Sequence, residues 1–76
     1  MKYHILTFDS THHVLKAEKL LKGSGIIHEI IPTPKDISSD CGMSIRIEAA
    51  VIDIVVVSKL LSSNSISFMV SGRRAK

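Results

Sequence analysis

The sequence is poor in several residue types. Its 76 residues include one cysteine, no tryptophan, one tyrosine, two phenylalanines and two prolines. One cysteine cannot close an internal disulfide. A structural zinc site built on thiolates needs at least two and is excluded with it. Scarce aromatics make the core aliphatic. No apolar run approaches the ~20 residues of a membrane-spanning helix; the longest are Ala49–Ile52 and Ile54–Val57. After Lys2 the apolar start is broken by His4, Thr7 and Asp9, too soon for a secretory leader. These features predict a cytoplasmic protein with its thiol reduced.

The charge excess is small, with ten basic against seven acidic side chains. Arg73, Arg74 and Lys76 fall in the last four positions, and without them the body is neutral. No basic stripe with interleaved aromatics is present, which speaks against nucleic-acid binding. What remains is 45% hydrophobic content in 8.3 kDa, enough for one thin core. We read residues 1–72 as a single domain and 73–76 as a disordered basic tail.

Tyr3–Phe8 reads as a strand closed by Asp9-Ser10. A helix follows, N-capped by Ser10 or Thr11, with Val14, Ala17, Leu20 and Leu21 on one face and Lys16, Lys19 and Lys22 on another. Gly23-Ser24-Gly25 ends it and is a cap; it lacks the spacing of a phosphate loop. Ile26–Ile31 is a second strand, stopped by Pro32-Thr33-Pro34. The polar segment 32–42 is a long loop, and Met43–Glu48 alternates like a half-buried strand. Ala49–Leu61 is strand-like in composition but lacks a turn signal over about 13 residues, which favours a helix. Ile66–Val70 is the last strand.

The order β-α-β-β-α-β predicts an α+β, ferredoxin-like fold: a four-stranded antiparallel sheet with two helices on one face. Strand three then lies between strands one and two. Asp9–His13, the Pro32–Asp40 loop and Cys41-Gly42 converge at one end of the sheet. The second helix is apolar on too many sides for one sheet, which predicts a dimer or partner interface through Val51–Leu61.

Cys41 is the candidate chemical centre. It stands in Ser38-Ser39-Asp40-Cys41-Gly42, a polar loop and not an apolar run. Gly42 leaves room for a reactant beside the sulfur. The topology sets the loop beside the first helix's N-terminus (Ser10, Thr11, His12), where the positive end of the helix dipole favours a thiolate. Lys35 adds positive charge; Asp9, Asp36 and Asp40 oppose it. A metal site from His12, His13 and Cys41 is weakly signalled, because adjacent helical residues point about 100° apart. His4 and His28 read as structural. No cofactor-binding pattern is present.

Ser10-Thr11-His12, Leu15-Lys16-Ala17-Glu18-Lys19-Leu20-Leu21-Lys22 and Ile31-Pro32-Thr33-Pro34 running on through Ile37–Met43 together resemble the putative Se/S carrier protein-like family. The likeness spans residues 3–70, and its Ser-Ser-Asp-Cys-Gly segment is the most specific part. His13 departs from the family pattern, where an acidic or small residue is expected. The resemblance implies that Cys41 holds sulfur or selenium as a persulfide or selenosulfide, received from a donor protein and passed to an acceptor. It suggests a carrier more than a catalyst. The alternative from the residues alone is a small regulatory or partner-binding module without thiol chemistry.

Overall fold

The computed structural model describes residues 2–37, 42–50 and 52–74. Six elements follow in the expected order: β1 (Lys2–Phe8), α1 (Thr11–Gly23), β2 (Glu29–Pro32), β3 (Met43–Glu48), α2 (Ile54–Ser63) and β4 (Phe68–Arg74). The strands form one antiparallel sheet in the order β2-β3-β1-β4. This is the ferredoxin-like α+β arrangement.

Alternation along the strands divides the sheet into two faces. Leu6 and Phe8 of β1 with Ile45 and Ile47 of β3 pack on Val14, Ala17 and Leu21 of α1 and on Val57 and Leu61 of α2. That aliphatic layer is the core. Ile5, Thr7 and Ser44 point the other way, yet each is buried. On that side Thr33, just after β2, brings its hydroxyl to 2.8 Å from the Ser44 hydroxyl. Arg73 pairs with Tyr3 and so shares the face of Ile5 and Thr7. Its Nη1 donates to Asp36 Oδ2 at 2.6 Å. This ion pair carries the β2–β3 connection back across the sheet, away from the helices.

Both helices end in the same way. Beyond α1, Gly25 N–H reaches Lys22 O and Ile26 N–H reaches Leu21 O; beyond α2, Ser65 N–H reaches Ser62 O and Ile66 N–H reaches Leu61 O. This is the Schellman pattern, with a left-handed residue followed by an apolar one. Gly25 has φ 72° and Ser65 has φ 58°. The caps correct two expected boundaries. Ile26 and Ile66 are apolar because they close helices, so β2 begins at Glu29 and β4 at Phe68.

The second helix starts later than expected. Asp53 caps it, Oδ1 accepting from Val55 N–H at 2.9 Å, so the helix begins at Ile54 and not at Ala49. Ile52 packs against the core from just outside the cap, in the position of a hydrophobic staple to Val57. Val55 and Val56 remain about half exposed. β4 runs on to Arg74, past the expected end at Val70, with Arg73 opposite Tyr3 and Arg74 opposite Lys2.

Candidate functional site

The register fixes which termini meet. Thr7 pairs with Ser44, and Pro32 pairs with Met43. The end of β1, the end of β2 and the start of β3 therefore lie at one end of the sheet, next to the start of α1. Gly42 sits there, two residues before Ser44. It has φ 73° and is exposed, and a Cβ built on it would meet nothing within 4 Å. Glycine is required by the left-handed backbone and not by crowding. The Gly42 carbonyl accepts from Thr33 N–H at 3.0 Å, and the Thr33 and Ser44 hydroxyls bond at 2.8 Å. These two bonds close the 33–42 loop at its base.

Ser10 is the N-cap of α1. Its carbonyl accepts from His13 and Val14 N–H at 3.1 and 3.2 Å, and its Oγ lies 3.4 Å from His13 N. No acidic residue stands in the first turn of α1, so the helix supplies no carboxylate of its own to neutralise its positive end. Thr11 and His12 are exposed on that turn. The His12 and His13 rings lie 6.1 Å apart and tilted, and His13 Nδ1 is buried without a partner among the described residues. No group of three metal-ligating side chains gathers among the described residues. Lys35 is exposed on the loop. Asp40 and Cys41, with Ser38 and Ser39, lie outside the described residues.

The fold thus brings Gly42, Ser10, Thr11 and His12 to one end of the sheet. Asp36 turns away from it. The Arg73 guanidinium, by direct hydrogen bond, holds the Asp36 carboxyl below its ordinary value. That carboxylate is occupied on the far side of the sheet and adds little negative charge near Gly42. Sequence reasoning missed this pair and the Thr33–Ser44 bond. Neither has a local signal, because each joins residues far apart in the chain.

His28 is not in a strand. Its Nδ1 lies 2.8 Å from Ile26 O and its Nε2 3.8 Å from Glu18, which ties the approach to β2 onto α1. His4 lies in β1, with Nδ1 buried and unpartnered among the described residues.

A family model described as putative Se/S carrier protein-like matches residues 3–69. The chain belongs to this family. No curated protein and no solved structure gives a significant match. The match to this Se/S carrier-like chain takes in both ends of the 33–42 loop and the capped start of α1. No helix among the described residues is long and apolar enough to cross a membrane.

Proposed function

We propose that this Se/S carrier-like protein holds a sulfur or selenium atom on Cys41 and hands it to an acceptor protein. The observation that carries the reading is the family match across a chain with a single cysteine, followed by an exposed glycine at an open strand end.

The chemistry balances without an external oxidant. The Cys41 thiolate attacks the terminal sulfur of a donor persulfide R–S–SH. A new S–S bond forms on Cys41, the donor's S–S bond breaks, and the donor leaves as R–S⁻. A selenosulfide R–S–SeH reacts in the same way at selenium. Delivery is the reverse exchange, with the acceptor thiolate attacking and Cys41 leaving as thiolate. The start of α1 stabilises that anion in both directions. The left-handed backbone of Gly42 opens the approach, Lys35 adds positive charge, and the exposed His12 stands on the same turn as a hydrogen-bonding group. Ser10 and Thr11 hold the turn, and Asp40 tempers the local potential. The scaffold needs no further reacting group, which favours a carrier over a catalyst, acting between partner proteins in the cytoplasm.

The alkylation rate of Cys41 against pH tests the thiolate. The expected apparent pKa lies below the free value of ~8.5, and a value at or above it with slow modification would overturn the mechanism. Incubation with a small persulfide or selenosulfide donor, then intact mass, tests loading. A gain of about 32 Da marks sulfur and about 79 Da selenium, and Cys41→Ser abolishes both. If a partner protein is captured as tightly by the Cys41→Ser variant, the binding-module reading replaces this one.

A further inference from the structure

The two edges of the sheet differ. β2 has four residues, opens with Glu29 and ends in Pro32, features that discourage further pairing. β4 has seven residues, contains no proline, and pairs among the described residues with β1 alone. Every second residue of such a strand directs its N–H and C=O outward. Two apolar side chains on this edge are open to solvent, Met69 at 73% and Val70 at 41%.

Charge is distributed unevenly along β4. Phe68, Met69 and Val70 occupy its first half and Arg73 and Arg74 its end, with no acidic residue between. Arginines on an edge normally repel an incoming strand. Here Asp36 holds the Arg73 guanidinium on the sheet face at 2.6 Å, but the pair is open to solvent, so Arg73 still acts as a cation toward an incoming strand. The positive end of β4 therefore decides in which direction a second strand can be laid along the edge.

We propose that β4 pairs antiparallel with β4 of a second copy of this chain, giving a continuous eight-stranded sheet. The strand is complementary to itself in that direction. A two-fold axis perpendicular to the sheet keeps the helices of both copies on one side. Pairing that uses all seven residues is centred on Ser71. It sets Met69 against the partner's Arg73, and Val70 against the partner's Gly72. The two Arg73 residues then lie about 14 Å apart along the strands, four residues at ~3.4 Å each, beyond a Debye length of about 8 Å. Parallel pairing would bring them to about 4.8 Å. The α2 surface is the weaker candidate: Val55 and Val56 are flanked by exposed Lys59, Ser62 and Ser63.

Sedimentation equilibrium of the full chain under reductant, which removes any Cys41-linked dimer, tests the proposal. The expected mass rises with concentration from 8.3 kDa to twice that value. Met69 is exposed, so its substitution leaves the fold intact, as circular dichroism would verify. Met69→Lys should weaken the dimer and Met69→Glu should strengthen it, each by roughly two- to thirtyfold in Kd, because a like or opposite charge is set across from Arg73 twice per dimer. Hydrogen exchange should show β4 amides gaining protection with concentration. A chain of 8.3 kDa up to millimolar concentration overturns the proposal. So does a dimer that responds equally to both substitutions, or one broken by Val56→Lys and untouched by Met69→Lys. Edge protection seen only on adding an acidic peptide also overturns it.

Discussion

Two residues in equivalent positions make a natural experiment. Gly25 and Ser65 both occupy the left-handed place of a Schellman cap, with φ 72° and 58°. The conformation is free for glycine and costs an L-residue roughly 1 kcal/mol. Ser65 is exposed, and only its backbone N–H is used in the cap. Ser65→Gly should raise unfolding free energy by roughly 0.5–1 kcal/mol, net of the extra chain entropy glycine brings to the unfolded state. Thermal unfolding should shift upward by a few degrees. Gly25→Ala should shift it downward by a similar amount. A Ser65→Gly variant that melts no higher than wild type would mean that this turn is not strained.

At the scale of elements, the same caps explain what the sequence conveyed and what it concealed. Six elements in the right order were legible, because each long element carries its own period: Val14, Ala17 and Leu21 on one helical face, and alternation through Met43–Glu48. The boundaries were less legible where one apolar residue serves two purposes. Ile26 and Ile66 read as strand residues by type, but each seals a helix end. Asp53 within an apolar run was the visible signal for the start of α2, outweighed by its neighbours. The meeting of the ends of β1 and β2 with the start of β3 was legible through topology alone, since the order of strands decides which ends meet. The Asp36–Arg73 pair was not, because it joins residues 37 positions apart. The late start of α2 has a measurable consequence. Asp53→Ala should destabilise the fold by roughly 0.5–2 kcal/mol through the lost cap. Leu61→Ala, at a fully buried position of the same helix, should cost about 2–5 kcal/mol. Val55→Lys on its exposed side should stay within about 0.5 kcal/mol. Urea unfolding of the three variants would rank them, and any other order would contradict the assignment of faces on α2.

At the scale of the molecule, one ion pair links the far end of the sheet to the loop that leads to Cys41. Arg73 is level with Tyr3, and Gly42 is level with the turn after Phe8. Some six residues of strand, about 20 Å, separate them. Direct electrostatic influence over that distance is screened at physiological salt. If Arg73 affects Cys41, it does so by holding the loop. The carboxyl of Asp36 provides the reading. Its pKa is lowered by the Arg73 hydrogen bond, so the tie is fully present above the ordinary carboxylate range and is lost as pH falls through the lowered value. In the nuclear magnetic resonance titration, the Asp36 carboxyl should have its midpoint below 3.8 in wild type and return to about that value in Arg73→Ala. The Ile37 amide, bonded to Pro34 O at 3.0 Å, should lose protection from hydrogen exchange in the same variant. Alkylation of Cys41 should then change in rate, while its apparent pKa stays where it was. A shift in that pKa instead would mean that Arg73 acts on the thiolate as a charge, and the path through the loop would have to be abandoned.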